Sequence, residues 1–426
     1  MHQVARFIII SSLATWGHRA LADIPADDNR TADIPATLSL SLSDAIARAK
    51  ERAPDIVLAN AAVRQAMARR VGAGIVFPSN PRVSVDARPP ITGGAVIPDV
   101  GYAATLEVPF DVSGAPRARV REAEQAAAIA RAELDVERLR VRSSAWGAYV
   151  RVGIAEQRVF EMQQTMAIAE RVLSATKQRA QAGASNEIEE SLASFEVTQI
   201  SLEIDQSIRL RQGHTMDLRH VLDLPASQQV QLVTPVGDPP DVPNRALLVE
   251  HALRKRPELA VIKRRMSLLD ATTTKLRREL FPRLGVYGGV DAAPISPIFG
   301  VVGLSVELPV AQRNQQQFAR VDAERTTEMD RETLLLRRIV REVVGAIETY
   351  EARRRELRLL TDSALPLAMK SLELVEIGWR AGRFDLFRVT TAAREVARVR
   401  GKRLDALEAA WVDRIAIDTS VGGLDT

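Results

Sequence analysis

Residues 102–110 read Tyr-Ala-Ala-Thr-Leu-Glu-Val-Pro-Phe, and residues 302–309 read Val-Gly-Leu-Ser-Val-Glu-Leu-Pro. Apolar side chains occupy every second position in both stretches, the period of a strand with one oily and one wet face. Each is preceded by another alternating run. Val83, Val85 and Ala87 alternate with Ser84, Asp86 and Arg88, and Leu284, Val286 and Val290 alternate with Gly285, Tyr287 and Asp291. Segments rich in Pro and Gly, 89–101 and 292–297, separate the members of each pair as turns. Two amphipathic strand pairs are therefore expected, about 82–110 and 283–308.

Working outward, the two pairs sit in a duplication. Pro54 matches Pro257, Phe77-Pro78 matches Phe281-Pro282, Ala118-Arg119-Val120 matches Ala319-Arg320-Val321, and Ala182-Gly183 matches Ala381-Gly382. Glu196-Val197 likewise matches Glu395-Val396. All fall in the same order, about 200 residues apart. The halves are 41–224 and 244–420, and the linker 225–243 contains Pro225, Pro235, Pro239, Pro240 and Pro243.

Each half has one plan. A short helix (43–52 and 245–255) leads into a helix of about two dozen residues that ends before Phe-Pro, and the strand pair follows. A very long helix comes next, about 116–181 and 312–380, broken by Gly183 and Gly382 and followed by one of about 35 residues. Pro366 is expected to kink or divide the second long helix. Leu336, Val343, Tyr350 and Leu357 form a heptad stripe, with Ile339, Ala346 and Leu360 in second positions, which suits coiled-coil packing. A helix of about 66 residues runs on the order of 100 Å, nearly the combined span of the two shorter helices of its half. Those helices can stack end to end beside it.

Composition removes several function classes. The 426 residues are 46% apolar and 26% charged, enough for a buried core, while only 4% aromatics and long stretches rich in Ala, Arg, Leu and Glu favour extended helices. Net charge is +4, from 58 basic against 54 acidic residues, so no excess exists to track phosphates and nucleic acid is not an expected partner. Cysteine is absent, which excludes disulfides, thiolate metal sites and acylation at an N-terminal cysteine. His214, His220 and His251 lack metal-ligand spacing, and neither a catalytic triad signature, a P-loop nor a GxGxxG junction is present. No enzyme, cofactor or metal site is expected.

The first residues carry Arg6, an uncharged run from Phe7 to Trp16, and Ala20-Leu21-Ala22 before Asp23, the form of a secretory signal over 1–22. Ala-Asp-Ile-Pro-Ala then occurs twice, at 22–26 and 32–36, so 23–40 reads as a flexible extension with folding expected from Ser41. Further on, the longest uncharged run, Ala292 to Val306, is interrupted by Pro294, Pro297, Gly300 and Gly303 and makes a poor spanning helix. Membrane entry would have to use strands. Four strands cannot close a barrel, whose practical minimum is about eight; two chains give eight and three give twelve with a wet lumen. The polar faces, with Asp86, Arg88, Glu107, Asp291 and Glu307, suit such a lumen. The alternative is a soluble sheet whose apolar face is buried on a helical rod, as in a periplasmic coiled-coil adaptor without a pore.

The strand pairs between helices, the run Gly303-Leu304-Ser305-Val306-Glu307-Leu308-Pro309 followed by Gln312-Arg313-Asn314-Gln315, and the Ala-Gly breaks at 182 and 381 resemble the TolC-type outer-membrane factors. The resemblance covers about 41–421. It implies a homotrimeric duct, mainly helical, in which internally duplicated long helices form an α-barrel across the periplasm and four strands per chain complete a twelve-stranded barrel in outer-membrane lipid. It also implies a passive channel served by a periplasmic adaptor and an inner-membrane pump of RND type, in wording closest to the branch for heavy-metal cations. Ducts for drugs or secreted polypeptides share the architecture. The same resemblance puts adaptor docking at the tips Ala182, Gly183, Ala381 and Gly382. It places the periplasmic gate near Glu189, which matches the family's carboxylate six residues after the Gly, and Arg388, which departs from it.

Overall fold

The computed structural model describes residues 37–88, 100–182, 187–292 and 298–424. The expected signal at 1–22 and Gly183 lie outside the described residues. Each half opens on a capped helix. The Ser41 hydroxyl accepts the Asp44 N–H at 3.1 Å at the head of α1 (Leu42–Arg52), and Asn244 accepts the Ala246 N–H at 2.8 Å at the head of α5 (Arg245–Lys255). Pro54 and Pro257 then start α2 (Pro54–Ala68) and α6 (Pro257–Arg278), where a missing N–H costs nothing. At 22 residues α6 has the expected length, but α2 has only 15. Beyond Ala68 the chain winds into successive turns through Gly72, whose φ of +78° an α-helix cannot hold.

Four strands follow the expected pattern: β2 (Arg82–Arg88), β3 (Gly101–Phe110), β5 (Arg283–Ala292) and β6 (Phe299–Glu307). They form one sheet in the order β2-β3-β5-β6, antiparallel throughout, with β2 and β6 at its edges. From it run the long helices. The first, α3 (Ala115–Gln181), has 67 residues without a break and packs against α2, α4 (Glu187–Val221), α6 and α9 (Leu386–Val421). Its counterpart is divided, as Pro366 requires: α7 (Gln315–Leu359) passes through a π turn at 360–364 into α8 (Leu365–Arg380). The expected heptad stripe is buried at Val343, Tyr350 and Leu357, together with Ile339, while Leu336 stays 37% exposed.

Two expectations need correction. Thr37–Leu40, expected within the flexible extension, is a strand, β1, that pairs in parallel with β4 (Gln229–Leu232), from Thr37↔Gln229 to Leu40↔Leu232. The supposed linker therefore contains a strand. Leu38, Leu40, Val230 and Leu232 join a core with Ile56, Tyr149, Ile154, Leu218 and Leu407, so burial fixes both segments. The linker is also tied down by side chains of the long helices. The Tyr149 hydroxyl accepts the Thr234 N–H at 3.1 Å and lies 3.0 Å from the Thr234 carbonyl and 3.2 Å from that of Leu40. Gln157 donates to the Val236 carbonyl at 2.6 Å, Trp411 to that of Gly237 at 2.8 Å and Tyr350 to that of Pro240 at 2.5 Å. Burial pushes the Tyr350 hydroxyl up to about 12, so it remains a donor at physiological pH.

A buried charge cluster joins the second half to itself. Arg256, 7% exposed, reaches Glu258 at 2.9 Å and Glu342 at 3.1 Å and donates to the Ser420 carbonyl at 3.0 Å, linking the α5–α6 corner, α7 and the end of α9. Tyr149→Phe leaves the Thr234 N–H without its acceptor and should cost about 1–3 kcal/mol. The expected readout is a lower Tm of the purified protein, with Tyr102→Phe, at an exposed strand position, unchanged.

Candidate functional site

Strand register decides what each face of the sheet contains. Val83↔Leu106, Val85↔Ala104, Ala104↔Val290, Val108↔Val286, Leu284↔Val306 and Val286↔Leu304 stand opposite one another on one face. Among the described residues no helix covers it: Val83 is 70% exposed, Val85 73%, Val302 86% and Leu304 74%. A soluble cap with its apolar face packed on helices is thereby excluded, because these side chains point away from the rest of the protein. An uncovered apolar face of this kind marks contact with another apolar phase.

The other face is polar and internally hydrogen-bonded. Asp86, Arg88, Glu107, Asp291 and Glu307 all lie on it. Arg88 pairs with Asp291 at 2.9 Å, Ser305 donates to Glu107 at 2.7 Å, Arg283 approaches Glu307 at 3.6 Å, and the Ser84 and Thr105 hydroxyls are 2.6 Å apart. Asp86 stands opposite Ala103. Such partly exposed pairs contribute about 0–1 kcal/mol each, so their effect is mainly on register.

At the far end of the long helices are two tips. Among the described residues of the first, α3 ends at Gln181 with Ala182 as its cap, and α4 opens with Glu187, Glu189 and Glu190 against the positive end of the helix dipole. The second is described throughout. The Gly382 N–H bonds to the Trp379 carbonyl at 2.9 Å and the Arg383 N–H to that of Gly378 at 2.8 Å, a Schellman closure that needs the left-handed Gly382 (φ +72°). Asp385 then caps α9, accepting the Arg388 N–H at 3.1 Å. Glu189 and Arg388 thus hold the same place, third in α4 and third in α9.

Contacts within and between the hairpins were not legible in the sequence. The Arg388 guanidinium lies 5.1 Å from the centre of the Phe384 ring, and that ring folds over Gly378 so closely that a Cβ there would sit 2.4 Å from it. Arg179, near the end of α3, stacks 5.4 Å from the Trp379 ring and donates to the Trp379 carbonyl at 3.2 Å, so the two tips touch. Higher up, Glu196 of α4, 8% exposed, takes Arg394 of α9 on both oxygens, at 3.0 and 2.9 Å. The duplicated Glu-Val pair pointed to Glu196, but nothing identified its cation. Among the described residues no three His, Asp or Glu side chains converge on a point where a metal would be held.

Gly382→Val forces a β-branched residue into the left-handed region and should cost about 1–2 kcal/mol locally. Hydrogen exchange of the amides from Arg383 to Arg388 is expected to speed up, while Gly401→Ala, in open space within α9, should leave it unchanged.

No family model matches the chain. Among curated proteins, the cobalt-zinc-cadmium resistance protein CzcC of Cupriavidus metallidurans is 24% identical over 327 residues, 75% of this chain and 76% of that protein. Solved structures share the fold over 90% of this chain. CusC superposes with a TM-score of 0.71 at 16% identity over 92% of its length, and the Campylobacter jejuni CmeC outer membrane channel with 0.70 at 13% over 85%. The open state of the Neisseria gonorrhoeae MtrE outer membrane channel gives 0.68 at 15% over 89%. The chain is thus similar in sequence to CzcC over three quarters of its length, and it has the fold of these solved outer-membrane channels.

Proposed function

We propose that this chain is the outer-membrane channel of a tripartite efflux system, a passive duct that sits in the outer membrane and reaches into the periplasm. The observation that carries the reading is the sheet. Its uncovered apolar face fits lipid, its hydrogen-bonded polar face fits a water-filled lumen, and it stands on helical hairpins on the order of 100 Å long. Two open edges leave backbone N–H and C=O groups that lipid cannot satisfy, so β6 of one copy pairs with β2 of the next. Three copies close twelve strands around a wet interior, lined by Asp86, Arg88, Glu107, Asp291 and Glu307.

Kinship with CzcC supports heavy-metal cations as the cargo. The chain performs no chemistry on them: energy comes from an inner-membrane pump, of RND type in this reading, through a periplasmic adaptor. The adaptor docks at the tips, Ala182 and Gly183 in one hairpin and Ala381 and Gly382 in the other. Glu189 and Arg388 form the gate, where opposite charges on neighbouring hairpins hold the closed end together by about 0–1 kcal/mol per pair. So weak a latch suits an aperture that a partner must open.

Membrane fractionation and mass measurement in mild detergent should find a three-chain species in the outer membrane; a soluble periplasmic monomer would refute the duct. Deleting the gene should raise sensitivity to zinc, cobalt or cadmium, whereas sensitivity to drugs alone would move the cargo to that class. Arg388→Asp should raise single-channel conductance in planar bilayers, with partial recovery when Glu189→Arg is added. Unchanged conductance with the trimer intact removes the latch.

A further inference from the structure

The four places where helices meet strands share an unusual charge. Segments 69–81, 111–121, 277–282 and 308–320 hold nine arginines and two acids, Asp111 and Glu279, a net of +7, so all other residues together carry −3 against the chain's +4. Strand register brings all four to one end of the sheet, where Arg82 stands opposite Glu107, Phe110 opposite Leu284 and Arg283 opposite Glu307. The Asp111 N–H bonds to the Val76 carbonyl at 2.9 Å, Arg119 donates to the carbonyls of Ala73 at 3.2 Å and Ile75 at 2.7 Å, and Asn314 donates to that of Leu276 at 3.3 Å. Arg119 also holds Asp111 at 3.6 Å, which neutralises one of the two acids.

Most of the remaining charge is available. Arg70 and Arg320 have partners in Glu124 and Glu324. Arg69, Arg117, Arg121, Arg277, Arg278 and Arg313 are exposed and have no ion pair among the described residues. Between them stand large apolar side chains that nothing covers: Val71 is 86% exposed, Phe77 54%, Val112 64%, Phe281 55% and Val310 71%. These exposed apolar side chains lie at the helical end of the sheet.

Resting on the channel reading above, we propose that this collar binds the anionic phospholipid headgroups of the periplasmic leaflet. The exposed apolar side chains enter the acyl boundary, and the guanidinium groups meet the phosphates just outside it. Charge complementarity selects the occupant. A planar guanidinium matches a phosphate with two parallel N–H donors, and the aliphatic stem of arginine remains in apolar surroundings while its head reaches water. A soluble protein partner would have to cover a ring that lies against the membrane surface. Each cation near an anionic surface strengthens association about fivefold, equivalent to about 1 kcal/mol, an effect that salt weakens.

The test uses the full-length protein in nanodiscs of phosphatidylcholine doped with labelled phosphatidylglycerol, with lipid retained after detergent washing as the readout. Wild type should enrich phosphatidylglycerol at least about fivefold, and enrichment should fall as salt rises. The combined Arg69→Gln, Arg70→Gln, Arg277→Gln and Arg278→Gln variant should bring it within about twofold of no preference. Arg337→Gln with Arg341→Gln, on the exposed side of α7, should keep it. Equal retention of the two lipids by wild type, enrichment insensitive to salt, or full enrichment in the collar variant would each overturn the proposal. Displacement of the lipid by inorganic phosphate would assign the collar to a soluble anion instead. If the collar variant does not assemble, the wild-type preference and its salt dependence still decide. A chain that never enters the nanodisc would overturn the channel reading with it, whereas insertion without headgroup preference defeats the collar alone.

Discussion

Hydrocarbon offers no hydrogen-bond partners, and a four-stranded sheet with one bare apolar face has two edges that need them. The rest of the molecule follows from this constraint. Within the chain, β3 and β5 satisfy each other and their outer neighbours, while β2 and β6 each keep one open edge. Alternation gathers the Val and Leu side chains on one face, and the ladder Arg88–Asp291, Glu107–Ser305 and Arg283–Glu307 holds the register on the other. A slip of one residue would exchange the faces and place charged side chains among the apolar ones.

A sheet made from two halves also needs those halves to act as one body. The fold achieves this away from the sheet, where the linker is clamped between both long helices. Tyr149 of α3 and Tyr350 of α7 hold related positions in the duplication, each 1% exposed, and each bonds the connecting segment by its hydroxyl. Trp411 and Gln157 add two further donors to the same stretch. Buried carbonyls of an irregular segment would otherwise lack partners, which explains why aromatic side chains with polar tips stand here in a chain so poor in aromatics.

The two halves differ in the helices that lead to their tips. In the first half α3 runs unbroken, whereas in the second the π turn at 360–364 and Pro366 interrupt the helix that leads to its tip. Proline removes one backbone donor and crowds the preceding turn, and widening that turn relieves the clash. The tips differ too, with an acidic first turn on α4 and Arg388 against Phe384 on α9. The halves remain coupled through Arg179 on Trp379 and through Glu196 on Arg394.

Local pattern was enough to read the four strands, their two faces, the long helices, the break at Pro366 and the helix end at Gly382. Period, proline chemistry and glycine's access to positive φ act over a few residues and can be seen without a fold. Five polar residues chosen from alternation alone came to lie on one face because the side-chain period of a strand is two. Strand β1 was missed because four residues of modest hydrophobicity are stabilised only by a partner about 190 positions away and by the core beneath both. The shortness of α2, the clamps on the linker and the partner of Glu196 were hidden for the same reason. Which cation meets a given carboxylate, and which carbonyl a buried tyrosine finds, depend on distances between elements remote in the chain, and only tertiary packing sets those.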